Sequence, residues 1–197
     1  MSIHLHWFLP TYGDSRDLIA GGHGSSMRGD RPADLKYLIQ LAQAAEINGF
    51  EAVLTPTGLW CEDAWLTTAA LIGSTDSLKY LVAFRPGLIS PTLAAQMSAT
   101  FQWQSQGRLL LNVVTGGDDV EQQRFGDHLG KDARYERAGE FLHIVRELWG
   151  GKPVTFTGQH YDVRGGQIIP ARIWPEIYLG GSSAPPSTWR PGTPTCT

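Results

Sequence analysis

Arg108-Leu-Leu-Leu-Asn-Val-Val114 runs directly into Thr115-Gly116-Gly117-Asp118, and that junction decides the fold class. A nearly unbroken apolar strand is buried on both faces, which is the mark of a parallel sheet covered by helices. Beyond it, Tyr135, Ala138, Phe141, Leu142, Val145 and Leu148 recur at helical spacing and close on Gly150-Gly151. The whole is a strand, a polar glycine-rich turn and an amphipathic helix.

Working outward, the same unit repeats. Upstream, Leu78 to Phe84 reads as a strand, and Ser90-Pro91 gives an N-cap followed by proline at the first helical position. Phe50 to Leu54 is another strand, followed by a turn at Thr55-Pro56-Thr57-Gly58 and a helix predicted to open with Glu62 and Asp63. Leu35, Leu38, Ile39, Ala42 and Ala45 mark a helix, with Gly49 where a C-terminal cap belongs. Ile3 to Leu9 alternates as a first strand, and the long polar segment Pro10 to Arg31, with Gly21-Gly-His-Gly-Ser-Ser26, has the length of a functional loop. Downstream, Val154 to Val163 predicts a hairpin about Gly158-Gln159, inserted before the fifth core strand, Ile177-Tyr178-Leu179.

Two α/β closures fit this alternation, a doubly wound sheet and a TIM (β/α)8 barrel. The Gly-x-Gly-x-x-Gly fingerprint of a dinucleotide fold is absent after the first strand. Polar segments follow the strands at Thr11, Thr57, Arg85, Thr115 and Ser182, and in barrels that end is the catalytic face. The barrel is favoured, with about the first five of its strands present in residues 1–184.

Composition narrows the function classes. Of 197 residues 42% are hydrophobic, enough for one sizeable core, and a formal net charge of −3 gives no basic field for nucleic acid. Cys61 and Cys196 make neither a disulfide framework nor a zinc site, and His4, His6 and His23 lack metal-ligand spacing. The start lacks the cationic flank and apolar run of a signal peptide, and no stretch has the length of a membrane span. A cytoplasmic chain without metal is expected.

Several strings, taken in order, resemble one family. His6-Trp-Phe-Leu-Pro-Thr11, Pro56-Thr-Gly58 with Cys61-Glu-Asp-Ala-Trp-Leu66, and Leu81-Val-Ala-Phe-Arg-Pro86 are similar to alkanesulfonate monooxygenases, within the bacterial-luciferase-like flavin enzymes. Gly107-Arg108 leading to Asn112-Val-Val-Thr-Gly-Gly117, Arg134-Tyr-Glu136 and Gly180-Gly-Ser-Ser183 continue the resemblance. It implies a two-component system. An NAD(P)H-dependent flavin reductase supplies reduced FMN, and the monooxygenase combines it with O2 and an alkanesulfonate to give an aldehyde and sulfite. It also implies a homo-oligomer when the chain is of full length.

The same resemblance assigns residues. Cys61 falls where the family has a cysteine near the substrate; the bland reading is a small buried thiol. Arg85 can meet a sulfonate or phosphate by bidentate hydrogen bonds, or form an ion pair with Asp63 or Glu62. Asn112 and Thr115 stand where relatives contact flavin, and an amide in an apolar strand needs a specific partner, backbone or flavin. Gly116 and Gly117 admit close approach of a ligand or make a plain turn. Tyr135 matches a tyrosine near the flavin phosphate, and Ser182 and Ser183 suit that phosphate if a helix begins there. Two departures are Lys131, where many relatives have histidine, and Tyr12, where others have histidine after Pro-Thr.

From Pro185 to Thr197 the apolar period ends and prolines interrupt any helix. Back-translated and shifted by one nucleotide, Ser187 to Thr197 encodes Asp-Val-Ala-Ala-Arg-His-Ala-Asp-Val-Tyr, a helix-to-strand sequence of the kind the family has there. Residues 185–197 are therefore expected to be an aberrant, disordered tail from a frameshift, and the chain as written inactive.

Overall fold

Asp34, Asp63 and Ser90 each turn a side-chain oxygen onto a backbone N–H three residues ahead, at 2.8, 2.8 and 3.1 Å, and each starts a helix. The computed structural model describes residues 3–13, 31–179 and 195–196. The chain divides into two compact units, Met1–Phe84 and Arg85–Thr197.

The first unit alternates strand and helix: β1 (His6–Phe8), α1 (Leu35–Ile47), β2 (Ala52–Thr55), α2 (Ala64–Leu71) and β3 (Lys79–Phe84). Both strand pairs are parallel, with His6 opposite Ala52 and Ala52 opposite Lys79. Gly49 takes a φ of +78° just past the Asn48 C-cap, a left-handed position that glycine fills without a Cβ clash. The opening of α2 differs from expectation. Asp63 is its cap rather than part of its first turn, and Glu62 lies outside it, accepting from the Thr67 hydroxyl.

Two carboxylates stitch this unit at the N-terminal ends of its strands. Glu46, at the end of α1, accepts backbone N–H groups of Asp76, Ser77 and Leu78 ahead of β3. Burial alone would raise its carboxyl, but the N–H groups of Ser77 and Leu78 outweigh that and hold it below the ordinary range. Glu51 accepts from Lys79 at 2.9 Å and pairs with His4; the Lys79 hydrogen bond leads in lowering its carboxyl. Charge pairing at this end of the strands reads as stability rather than chemistry.

The second unit holds α3 (Pro91–Ser105), β4 (Leu109–Val113), α4 (Asp119–Arg124), α5 (Lys131–Trp149), the antiparallel hairpin β5 (Val154–Thr157) and β6 (Asp162–Gly166), β7 (Glu176–Leu179) and β8 (Thr195–Cys196). Strands β4 and β7 pair in parallel, Asn112 opposite Tyr178, and β8 lies parallel on β7. Helix α3 packs on α5, and the buried Trp149 indole donates to the Ser98 hydroxyl at 2.8 Å. Ser98→Ala leaves that N–H unsatisfied in the core and is expected to lower stability by about 1–3 kcal/mol, read as a fall in the urea midpoint. Glu140, on α5, accepts three backbone N–H groups of the hairpin turn, from Gln159, His160 and Tyr161.

Every core strand expected from the apolar runs is present, as are the hairpin and the long helices. The five strands β1 to β4 and β7 are parallel within their units and reached through helices, the arrangement of the first part of a β/α barrel. Helix α4 was not foreseen. Of the tail beyond Pro185 only Thr195 and Cys196 are described, and the Gly21–Ser26 segment lies outside the described residues.

Candidate functional site

In each unit the described residues foreseen as site residues lie at or beyond the C-terminal ends of the strands. In the first, Glu62 N–H donates to the Thr11 carbonyl at 2.9 Å, tying the turn after β1 to the turn after β2. Cys61 sits between them, half-buried, with its thiol 3.5 Å from the Gly58 carbonyl. It is in no disulfide. Tyr12 stands edge-on to Trp60 with centroids 4.9 Å apart, and Phe8 lies 6.2 Å from Tyr12. The hydroxyls of Thr11 and Thr55 are fully buried and have no hydrogen-bond partner among the described residues. This end of the first unit therefore combines aromatic walls, a thiol and two unused hydroxyls.

In the second unit, the ion pair expected between Arg85 and Asp63 or Glu62 is made with Glu121 instead. Arg85 Nη2 lies 2.6 Å from Glu121 Oε2, Arg85 buried and Glu121 partly so, with the Phe125 ring 5.2 Å from the guanidinium carbon. Glu121 and Phe125 belong to α4 and its C-cap, so the missed helix supplies the missed partner. Its signal was in the sequence: Asp118 as a cap accepting from Val120 and Glu121 N–H, acids at Asp119 and Glu121, and Arg124 in the last turn.

Two further arginines bind the segment between β4 and α5. Arg134 is buried; its Nη2 donates to the Gly116 carbonyl and to Asp119 Oδ1, and its Nη1 to the Leu129 carbonyl. Arg137 makes a two-pronged pair with Asp127, at 3.1 and 2.5 Å. Burial would raise the Asp127 carboxyl, but Arg137 and the Leu129 N–H overcome that and hold it below the ordinary value. Gly87, at φ +102°, is open where Arg137 lies: a Cβ there would stand 2.1 Å from the guanidinium carbon. Nearby, burial pushes the Tyr161 hydroxyl up to about 12.

Against this rigid frame, three residues foreseen as cofactor contacts stand out by what they do not bind. Asn112 in β4, Thr115 just after it and Tyr135 in α5 are half-buried, and none of the described residues hydrogen-bonds their side chains. A half-buried amide in an apolar strand costs free energy unless something else satisfies it. Gly116 and Gly117 separate in role. Gly116 makes room for the Gln122 amide, whose Nε2 would lie 1.5 Å from a Cβ, whereas nothing lies within 4 Å of a Cβ at Gly117. Lys131 is exposed one turn before Tyr135, and Gly130 caps α5 without a side chain. Ser182 and Ser183 lie outside the described residues.

Among the described residues, no group of three or more His, Cys, Asp or Glu could hold a metal ion, and no helix is long and apolar enough to cross a membrane.

The family model described as luciferase-like monooxygenase matches residues 5–190. Among solved structures, the fold matches EDTA monooxygenase EmoA from Chelativorans sp. BNC1 with a TM-score of 0.78 and 21% identity, over 93% of this chain and 50% of that one. It matches long-chain alkane monooxygenase LadA with a TM-score of 0.77 and 23% identity, over 93% and 52%. An F420-dependent secondary alcohol dehydrogenase in complex with an F420-acetone adduct is matched at 0.72 and 20%, over 92% and 53%. The chain spans about half the length of the structures it matches.

Proposed function

The chain belongs to the luciferase-like monooxygenase family, and from that premise we propose that it derives from a two-component flavin monooxygenase that desulfonates alkanesulfonates with reduced FMN and O2. The observation that carries the cofactor is the side-chain amide of Asn112, half-buried in an apolar strand and hydrogen-bonded by no described residue. Asn112 and Thr115 would hold the flavin ring, and Tyr135 with Lys131 its phosphate; the donor set of amide, hydroxyls and ammonium fits an anionic, ring-bearing ligand. Ser182 and Ser183 enter the same proposal from the resemblance alone. A cytoplasmic location is part of the same proposal.

When bound, reduced FMN supplies the two electrons with which O2 is cleaved, one oxygen atom ending on the carbon that bore sulfur and the other in water. The chain's own residues orient and desolvate. Phe8, Tyr12 and Trp60 give an apolar wall suited to an alkyl chain. Cys61, with the buried hydroxyls of Thr11 and Thr55, offers hydrogen bonds at that wall. Arg85 enters paired with Glu121, so any sulfonate it meets competes with a carboxylate already 2.6 Å away. The sulfonate itself is supported by the Cys61-Glu-Asp-Ala-Trp string.

The test supplies the protein with reduced FMN through an NAD(P)H-dependent flavin reductase and offers octanesulfonate, methanesulfonate and an uncharged alkane. The chain as written is expected to turn over little or not at all, and any turnover it does support is expected to release sulfite from a sulfonate. Oxygen uptake coupled to the alkane but without sulfite would replace the substrate. The fold shared with an F420 enzyme favours a second reading, in which the deazaflavin is the cofactor. Affinity measured for FMN and F420 side by side separates the two, tighter binding of F420 overturning the first.

A further inference from the structure

The turn leaving β4 contains two adjacent glycines, yet it is braced from behind. Gln122, 1% exposed, lays its amide against Gly116, which has a φ of +84° and no space for a Cβ. Arg134, 2% exposed, donates to the Gly116 carbonyl at 3.1 Å, to Asp119 Oδ1 at 2.8 Å and to the Leu129 carbonyl at 2.5 Å. One guanidinium thus ties the turn, the first residue of α4 and the loop entering α5. The Gln122 Nε2 and Arg134 Nε atoms are buried with no hydrogen-bond partner among the described residues, so neither side chain is placed there for its own full satisfaction. Both are held where they restrain the turn.

We propose that Gln122 and Arg134 are positioning residues that lock the Thr115–Gly117 turn, so that Thr115 and the adjoining Asn112 meet the flavin already ordered. The proposal rests on the flavin reading above. Ordering a free Gly-Gly turn on binding would subtract from affinity, and a turn ordered beforehand avoids that loss. Lysine cannot replace the arginine, because an ammonium lacks the planar fork that reaches three separated acceptors.

The experiment compares the parent chain with Arg134→Lys, Gln122→Ala, Gly116→Ala and Gly116→Ala/Gln122→Ala by hydrogen exchange across residues 114–124 and by FMN fluorescence quenching. Arg134→Lys and Gln122→Ala should speed exchange in that segment roughly tenfold, with α3 and the β5–β6 hairpin unchanged. FMN dissociation constants should rise about fivefold or more in the same variants. Gly116→Ala should bind FMN worst, and removing the Gln122 amide should restore part of the loss. Unchanged exchange in both Arg134→Lys and Gln122→Ala overturns the proposal, as does faster exchange with FMN affinity within about twofold of the parent. A parent chain that fails to bind FMN refutes the cofactor reading instead, and the exchange result then judges the lock by itself.

Discussion

Asp127→Ala is expected to cost about 3–5 kcal/mol, because it strands a buried guanidinium. Asp127 and Arg137 expose only 4% and 11% of their side chains and bond through both prongs, so neither charge has water to fall back on. Removing the carboxylate leaves Arg137 pressed against the Gly87 backbone without a counter-charge. The urea midpoint at about pH 7 measures the loss, and a decrease under about 1 kcal/mol would show that the pair contributes no more than a surface bridge. The pH dependence has a definite sign. Asp127 is lowered below its ordinary 3.8, and Glu46 and Glu51 below 4.5, so the unfolded chain binds these protons more tightly. Their stabilisation is complete above the unfolded values and is lost as pH falls below about 4 through the folded ones. Asp127→Ala should therefore show a shallower fall in midpoint between about pH 5 and pH 3 than the parent.

That pair also marks the boundary of what the sequence discloses. Apolar runs such as Leu109–Val113 and caps such as Ser90-Pro91 act locally, so the strands and long helices could be read from neighbours alone. Helix α4 was legible in principle, with Asp118 as cap and charges matched to the helix dipole, but six residues carry too little apolar period to announce themselves. Arg85 shows the limit more sharply. Its partner Glu121 is 36 residues away on that short helix, and nothing at sequence level ranks it above the nearer-looking Asp63. Asp63 was already committed to capping α2. Gly116 was readable as a position needing close approach, yet what approaches is Gln122 of the same chain; only Gly117 keeps the open side that a ligand needs. Asn112 is the reverse case, since a polar residue interrupting an apolar strand is conspicuous without any structure.

Asn112→Leu should move stability and binding in opposite directions, which makes it the sharpest test of the site. Asn112 is half-buried in β4 and opposite Tyr178 in register, with no described residue hydrogen-bonding the amide. Replacing it with an apolar group of similar size removes an amide that no described residue pairs and adds apolar atoms at a half-buried position. The free chain should then be unchanged or more stable by about 1 kcal/mol, seen as an equal or higher urea midpoint. If the amide instead meets flavin, its loss removes about 1–1.5 kcal/mol of binding, and the FMN dissociation constant should rise about tenfold. An amide serving the fold would give the opposite pattern, a lower midpoint by about 1–3 kcal/mol with FMN affinity little changed in the folded fraction. The two outcomes cannot be confused, because they differ in the sign of the stability change and in the size of the change in FMN affinity.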